Sequence, residues 1–262
     1  MRRALDVLHE GDVEATRAVG RALPALARLA RMAASALDSG GRVVYAGAGT
    51  SGRLGALDAA ECPPTFGPQG SSVIALVAGG PRALRRAVEG AEDDCQAGRR
   101  DVRRARVGAR DLVVGLSASG TTPYVLAALE EARSRGAATG LVTSNPAARP
   151  PGAARVLLAT GPELVAGSTR MKAGSATKMA LSLLSTAAML RLGKVQDGRM
   201  IDLTATSDKL RRRATRMVME LGRASAAEAE AALAESGWRV REAVRMLCAA
   251  SGMSSRSRSR SR

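Results

Sequence analysis

Residues 42–52 read Arg-Val-Val-Tyr-Ala-Gly-Ala-Gly-Thr-Ser-Gly, an apolar, β-branched run that passes directly into a Gly/Ser/Thr loop. Residues 112–122, Leu-Val-Val-Gly-Leu-Ser-Ala-Ser-Gly-Thr-Thr, repeat the arrangement, and a helical pattern follows each loop. A strand that ends in such a loop at a helix N-terminus offers backbone N–H groups, hydroxyl donors and the positive end of the helix dipole. The sequence therefore predicts phosphate binding at each of the two loops.

Around these two runs the chain alternates between strand and helix patterns. Strands separated by helices favour an α/β fold, a parallel sheet with helices on both faces. We predict strands at 42–46, 73–77, 112–116, 139–143 and 156–159, and helices over 4–38 (broken or restarted near Pro24), to Leu57, over 81–88, to Arg135 and over 172–192. After residue 198 the pattern stays helical, with a helix pair at 225–235 and 239–249.

The chain divides into four expected segments. These are N-terminal helices at 1–38, the sheet domain at 39–200, a small helical subdomain at 201–250 and a Ser-Arg tail at 251–262. The tail is low in complexity and its arginines repel one another, so we expect it to be disordered.

The formal net charge of +16 raises the question of a nucleic-acid partner. Only four of the 40 basic residues are lysines, and the arginines lie in an Ala- and Gly-rich background without interleaved aromatics. Because no nucleic-acid-reading motif accompanies the charge, we expect no such partner. No apolar run approaches the roughly 20 residues of a membrane span, so we expect no membrane partner either.

Cysteine and histidine usage limits the possible chemistry. Cys62, Cys95 and Cys248 are odd in number and lack metal-ligand spacing, which favours reduced thiols and a cytoplasmic location. The one histidine, His9, lies in a polar stretch. We therefore expect neither a histidine-based catalytic triad nor a metal site.

The first loop also fits the dinucleotide fingerprint G-x-G-x-x-G. That interpretation requires an acidic residue at the end of the next strand to hold a ribose, but residues 77–80 read Val-Ala-Gly-Gly. We therefore favour a phosphate over a dinucleotide. A mere strand-to-helix turn would not explain the hydroxyls or the second, similar loop.

Two glutamates lie between the loops in the sequence. Glu61 precedes Pro63 and Pro64, where we expect the chain to leave the helix and become extended. Glu92 lies in an acidic cluster with Asp93. On composition alone, Glu61 could equally be a surface glutamate, and Glu92 could equally belong to a solvated acidic face. Phosphate loops with interposed carboxylates nevertheless suggest acid–base chemistry on a phosphorylated small molecule.

Residues 167–172, Gly-Ser-Thr-Arg-Met-Lys, place hydroxyls and two cations at the start of the last long helix of the sheet domain. Cations usually avoid a helix N-terminus because the dipole opposes them. We expect a bound anion to remove that conflict. A capped surface turn with solvated cations is the alternative.

In five runs the chain resembles the N-acetylmuramic acid 6-phosphate etherases, lyases with the sugar isomerase (SIS) fold. Glucokinase regulatory protein shares the run at 161–178 but resembles these etherases much less around the two glutamates. The resemblance implies an SIS-type three-layer sandwich, a parallel sheet flanked by helices, with a small C-terminal helical subdomain. The runs, within a similarity that spans roughly residues 3–250, are 47–55, 58–67 (Asp-Ala-Ala-Glu-Cys-Pro-Pro-Thr-Phe-Gly), 88–94 (Val-Glu-Gly-Ala-Glu-Asp-Asp), 119–125 and 161–178.

The resemblance implies cleavage of the D-lactyl ether of N-acetylmuramic acid 6-phosphate to N-acetylglucosamine 6-phosphate and D-lactate, in cell-wall sugar recycling. It implies a phosphorylated amino-sugar substrate, a cytoplasmic homodimer and no cofactor. Glu61 would protonate the departing lactate, and Glu92 would act as the second acid/base, at C2. The substrate-binding residues that it implies are Gly49, Thr50, Ser51, Ser117, Ser119, Gly120, Thr122, Ser168 and Lys172.

One position departs from the family, and two other functions stay open. The second loop of these etherases usually reads Ala-Ser-Gly-Arg-Thr-Pro-Tyr, and Thr121 takes the place of the arginine here. A cation that could meet the phosphate or the lactyl carboxylate is therefore missing. The alternatives are a non-catalytic sugar-phosphate-binding regulator and an aldose–ketose isomerase, which shares the C2 proton chemistry but needs no acid at Glu61.

Overall fold

A sheet of five parallel strands, in the order β2-β1-β3-β4-β5, forms the centre of a structural unit that comprises residues 1–62 and 71–192. The strands are β1 (Val43–Gly47), β2 (Val73–Val77), β3 (Leu112–Leu116), β4 (Ala138–Thr143) and β5 (Ala154–Leu157). The sheet confirms the predicted fold class, although β5 begins two residues earlier than expected. This computed structural model describes residues 1–150, 152–202 and 208–250, so the expected Ser-Arg tail lies outside the described residues.

Helices cover both faces of the sheet because both faces are apolar. On one face, Val44 and Val113 belong to a core that includes residues of α3 (Cys95–Arg104) and α4 (Pro123–Ser134). On the other face, α1 (Arg2–Asp38) packs along α5 (Lys172–Arg191), and α2 (Gly49–Phe66) lies against β1. The order is helix, sheet, helix, the three-layer sandwich that the resemblance implies.

The first helix, α1, is continuous, so the predicted break near Pro24 is wrong. A proline inside a helix removes one N–H donor and costs about 3 kcal/mol or more. Ala22, Leu26 and Leu29 are buried on either side of Pro24. Burial stabilises by roughly 1.5–3 kcal/mol for each large apolar side chain, which outweighs the missing hydrogen bond.

The second helix, α2, includes Pro63 and Pro64, so the predictions that it ends near Leu57 and that Glu61 lies on extended chain are wrong. The two prolines are in the last turn, where each removes only one hydrogen bond to the preceding turn. Asp58 and Cys62, one turn apart, are both buried. Packing of this face overrides the local signal of the prolines.

Between β2 and β3 the chain departs from the predicted helix at 81–88, and only a 3₁₀ turn over Gly80–Leu84 is present. Gly79 and Gly80 adopt φ angles of +82° and +66°, so the chain turns sharply at this point. The helix α3, which the sequence analysis passed over, follows at Cys95. Its N-cap is Asp94, whose side chain accepts a hydrogen bond from the N–H of Ala97.

The second structural unit comprises residues 63–70 and the described residues from Gly193 onward. Before its helices, the residue pairs 195–196 and 199–200 form a short hairpin, so the expectation of an all-helical chain after residue 198 is wrong. Asp197 and Gly198 both have positive φ angles in the turn, and Asp-Gly is an ordinary signal for such a hairpin. The elements of this unit are β6 (Val195–Gln196), β7 (Arg199–Met200), α6 (Asp208–Gly222), α7 (Ala226–Glu235) and α8 (Val240–Ala250).

Candidate functional site

The candidate site lies at the carboxyl ends of β1 and β3, which are neighbours in the sheet. From β1 the chain proceeds to β2 on one side, and from β3 it proceeds to β4 on the other. Ligands of open parallel sheets bind in the crevice at such a reversal of strand order. Gly47 pairs with Leu116, so the two predicted phosphate loops, 47–52 and 117–122, begin side by side.

The first loop folds tightly because its outer glycines pack against each other. A Cβ on Gly52 would lie 2.6 Å from the carbonyl oxygen of Gly47, and Gly49 has a φ of +52°. The helix α2 begins at Gly49, so Thr50 and Ser51 lie in its first turn. The N–H groups of a first turn find no carbonyl partner within the helix. The loop therefore presents N–H donors and two hydroxyls at the edge of the sheet.

Hydroxyl groups hold the second loop together. Ser117 is buried, accepts the N–H of Gly120 at 3.0 Å and is hydrogen-bonded with the hydroxyl of Thr122 at 2.7 Å. A Cβ on Gly120, whose φ is +71°, would lie 2.4 Å from the Cβ of Ala148. Ser119 is exposed and Thr122 is half-buried. The buried serine thus fixes the loop, and Ser119 and Thr122 lie at its surface.

Residues after β4 support the second loop, and the sequence analysis missed them. Thr143 donates its hydroxyl to the carbonyl of Ala118 at 3.2 Å, and the Asn145 side chain donates to the carbonyl of Ser119 at 2.7 Å. Between them, the hydroxyl of Ser144 is buried and has no hydrogen-bond partner among the described residues. A bound ligand or water satisfies such a group. The signal was a third run of hydroxyl and amide side chains directly after a predicted strand.

Glu92 lies at the same edge of the sheet as the loops. It is exposed in a single 3₁₀ turn, Ala91–Asp93, that packs against α4 and directly precedes α3. Because α3 leads back to the amino end of β3, its own N-terminus is at the carboxyl edge of the sheet. The structure therefore brings Glu92 and the two loops to one side of the molecule.

The structure does not bring Glu61 to this edge. Glu61 follows Gly49 by twelve residues of α2, which at 1.5 Å per residue is about 18 Å along the helix axis. Asp58, one turn before Glu61, accepts the hydroxyl of Tyr45 in β1 at 2.9 Å and that of Ser185 in α5 at 3.1 Å. These bonds hold α2 against the face of the sheet. Glu61 is exposed and lies well away from the loops of its own chain.

Burial dominates the electrostatics around Asp58. It raises the pKa of this carboxyl above the usual range, and the charge of Glu61 adds to the rise. Hydrogen bonds from Tyr45 and Ser185 and the charge of Lys178 oppose the rise without cancelling it. Burial also raises the pKa of Cys62 to about 12. This thiol is therefore protonated near neutrality and is a poor nucleophile.

At the start of α5, the chain itself supplies the anion that the sequence analysis expected. The carboxylate of Glu163 accepts the N–H groups of Lys172 and Ala173, both at 3.0 Å. The ammonium group of Lys172 is buried and pairs with Glu14 of α1. Ser168 is half-buried in the preceding turn. The substrate-binding roles of Ser168 and Lys172 stay predictions, and Lys172 already has an acidic partner.

A cavity of about 470 Å³ opens beside Thr50. The two cations among its described lining residues, Arg170 and Lys178, are exposed. The sequence analysis assigned no role to Lys178. The cavity is lined by Asp12 and Thr16 from α1, Thr50 and Leu54 from α2, Arg170, and Gly174, Ser175, Lys178 and Met179 from α5.

The described residues contain neither a candidate metal centre nor a candidate membrane span. No group of three or more His, Cys, Asp or Glu side chains within them is placed to hold a metal ion. No described helix has both the length and the apolar character that a membrane crossing requires.

The fold and its two hydroxyl-rich loops define the chain as an SIS-domain protein. A sequence model of the glucokinase regulatory protein N-terminal SIS domain matches residues 25–133. A phosphoheptose isomerase from Francisella tularensis is 18% identical with a TM-score of 0.51, over 72% of this chain and 97% of its own. One from Neisseria gonorrhoeae is 16% identical with a TM-score of 0.52, over 73% of this chain and 98% of its own. At these identities the likeness shows the fold alone.

Proteins that are similar in sequence identify the family more specifically than the structural likenesses do. N-acetylmuramic acid 6-phosphate etherases from Yersinia pestis (strain Pestoides F) and Yersinia pseudotuberculosis (serotype O:1b, strain IP 31758) are each 49% identical to the chain over 245 residues. The matched region covers 93% of this chain and 83% of theirs. The chain belongs to the N-acetylmuramic acid 6-phosphate etherase family.

Proposed function

We propose that the chain is a carbon–oxygen lyase that cleaves the D-lactyl ether of N-acetylmuramic acid 6-phosphate, giving N-acetylglucosamine 6-phosphate and D-lactate in cell-wall sugar recycling. Membership of the etherase family supports this reaction. The structural observation that carries the proposal is the pair of loops, 47–52 and 117–122, whose hydroxyl and N–H groups lie side by side at the carboxyl ends of β1 and β3. Such an arrangement suits a sugar phosphate.

The reaction follows from the chemistry of the open-chain sugar. The C2 proton is acidic because it is α to the C1 aldehyde, and the lactyl oxygen on C3 is β to the same carbonyl. Loss of the C2 proton lets the C3–O bond break, and the departing D-lactate takes up a proton. Water then adds a hydroxyl to C3 while a proton returns to C2, so one water is consumed for each lactate released.

The protein must supply a base at C2, an acid for the leaving oxygen and groups that bind the phosphate. We assign the phosphate to Thr50, Ser51, Ser119 and Thr122. The hydroxyl of Ser144, which has no hydrogen-bond partner among the described residues, is nearby. The acid–base roles belong to Glu92 at C2 and Glu61 at the leaving oxygen. Each proton transfer contributes on the order of 10²–10⁴ in rate.

Isotopically labelled water tests the route. In heavy water the N-acetylglucosamine 6-phosphate formed should carry deuterium at C2, and in oxygen-18 water it should carry the label at C3, with D-lactate unlabelled on its ether oxygen. Label in the lactate oxygen would mean that water attacks the lactyl group, which contradicts the elimination. A chain that converts a hexose phosphate to its ketose without releasing lactate would be an isomerase. Binding without any turnover would identify a regulator.

We propose that the chain acts as a homodimer because one chain does not complete the site. Glu61 lies about 18 Å along α2 from the loop that would hold the phosphate, and a single hexose phosphate does not span that distance between its phosphate and its C3 oxygen. Leu57, one turn before Glu61 on α2, is 44% exposed and suits burial against a second copy. In this arrangement Glu61 of the partner subunit protonates the leaving group.

Mixing two inactive variants tests the shared site. Glu61→Gln and Glu92→Gln are each expected to be inactive alone. After both are unfolded together and refolded in equal amounts, half of the dimers are mixed, and each mixed dimer has one intact site, so about a quarter of the wild-type activity should return. Refolded wild-type protein is the control for recovery. No return of activity would place both glutamates in the same chain's site and contradict the shared arrangement.

A cytoplasmic location is also part of the proposal. All three cysteines, Cys62, Cys95 and Cys248, are free thiols. Free thiols persist in a reducing compartment.

A further inference from the structure

Two of the residues that line the cavity beside Thr50 are cations. Arg170 precedes α5, Lys178 lies on its second turn, and neither forms an ion pair within residues 1–150, 152–202 and 208–250. A third cation at this end of α5, Lys172, is buried against Glu14. Of the three cations at this end of α5, one is therefore neutralised by Glu14 of α1, and two remain at the cavity.

The charges of the cavity match a monoanion. Among the described residues that line it, Asp12 is the acidic one, and its carboxylate accepts the hydroxyl of Ser175 at 3.1 Å. With Arg170 and Lys178, the lining carries two positive charges and one negative charge. One bound carboxylate would make the lining neutral, whereas a phosphate dianion would leave it negative.

The cavity also has an apolar part. Leu54 of α2 and Met179 of α5 line it next to the two cations. A D-lactyl group consists of a carboxylate and a methyl group on the carbon that bears the ether oxygen. Cations beside small apolar surfaces suit both parts of this group.

The position of the cavity fits the two ends of the substrate. A Cβ on Gly174 would lie 3.5 Å from Cγ2 of Thr50, so α5 passes the first loop at this point. Lys178 follows Gly174 by one helical turn. Its charge also acts on Asp58 of α2. The cavity is thus beside the first loop, while Ser119 lies on the second loop. A substrate with a phosphate on C6 and a lactyl group on C3 has anions at two ends.

We propose that Arg170 and Lys178 form the subsite that binds the carboxylate of the substrate's lactyl group. This inference rests on the proposed function. It assigns the phosphate to the two loops and the carboxylate to the cavity. The two cations then determine specificity, since the product N-acetylglucosamine 6-phosphate has the phosphate but lacks the carboxylate.

Calorimetric titration of two ligands into one set of variants tests the subsite. Glu92→Gln serves as the background, so that N-acetylmuramic acid 6-phosphate is not consumed, and N-acetylglucosamine 6-phosphate is the ligand without a carboxylate. Into this background are placed Lys178→Met, which keeps the length of the side chain, Lys178→Arg, which keeps the charge, and Arg170→Met. The matched control is Arg191→Met, an exposed cation at the far end of α5.

The ratio of the two dissociation constants decides the inference. Lys178→Met and Arg170→Met should each weaken binding of N-acetylmuramic acid 6-phosphate by about 10- to 100-fold and change that of N-acetylglucosamine 6-phosphate by less than about threefold. Lys178→Arg should recover part of the loss, and the control should change neither constant. Equal weakening of both ligands would assign these cations to the phosphate and overturn the inference. Unchanged binding of both would also overturn it. Lactate release by the unmodified chain tests the proposed function separately.

Discussion

Tyr45→Phe removes one hydroxyl from the buried contact that holds α2 against the sheet. The Tyr45 hydroxyl donates to Asp58 at 2.9 Å, and both residues are buried. The phenyl ring keeps the shape of the side chain, so the change removes a hydrogen bond without creating a large cavity. Ser185 remains as the other donor to Asp58.

The expected loss depends on the charge of Asp58. A hydrogen bond to a charged group contributes about 1.5–3 kcal/mol and one to a neutral group about 0.5–1.5 kcal/mol. Burial raises the pKa of Asp58, so the folded protein holds this proton more tightly than the unfolded chain. Its contribution to stability is therefore greatest below the ordinary aspartate pKa and falls as the pH rises through the raised value. The Tyr45 bond opposes that rise, and its removal should raise the pKa of Asp58 further.

Urea unfolding followed by far-ultraviolet circular dichroism measures the effect. Tyr45→Phe should lower the free energy of unfolding by about 1.5–3 kcal/mol at pH 8 and by about 0.5–1.5 kcal/mol near pH 4. The same substitution in an Asp58→Asn background should lose this dependence on pH. A loss that is the same at both pH values in the Asp58 protein would refute the reasoning, as would a loss that grows toward low pH.

Three further substitutions test separate parts of the structure. Ser119→Ala removes an exposed loop hydroxyl and should raise the KM for N-acetylmuramic acid 6-phosphate about tenfold with little change in stability; an unchanged KM in steady-state assays would remove Ser119 from the phosphate site. Glu163→Gln takes away one of the two oxygens that cap α5 and should lower the free energy of unfolding in urea by about 1 kcal/mol, whereas no loss would mean that the cap contributes little. Ser225→Ala breaks the capping box of α7 and should cost about 1 kcal/mol in the second unit, as followed by the fluorescence of Trp238; Thr215→Ala, an exposed hydroxyl within α6, is the control and should cost less.

The strands and both phosphate loops could be predicted because their signals are local. A β-branched run favours a strand, and glycine with hydroxyl residues at its end predicts a sharp turn into a helix. The register that places Gly47 beside Leu116 then brings the loops together, as expected for parallel strands of one sheet. The Asp197-Gly198 hairpin had an equally local signal, which the helical interpretation of the C-terminal region overlooked.

The remaining features depend on contacts between residues far apart in the sequence. Pro63 and Pro64 predict the end of a helix, yet α2 continues because Asp58 is anchored to β1 and α5. The partner of Lys172 is Glu14, on a helix that precedes it by more than a hundred residues. No local pattern in either segment indicates that pair. The distance between Glu61 and the loops was not predicted for the same reason, because that distance depends on the full length of α2.

Release of D-lactate from N-acetylmuramic acid 6-phosphate by the purified chain tests the central claim most directly, with Glu61→Gln measured in parallel. We expect stoichiometric D-lactate and N-acetylglucosamine 6-phosphate from the unmodified chain and a loss of at least about 10²-fold in the variant. Tight binding of the substrate by the unmodified chain with no lactate formed would contradict the account.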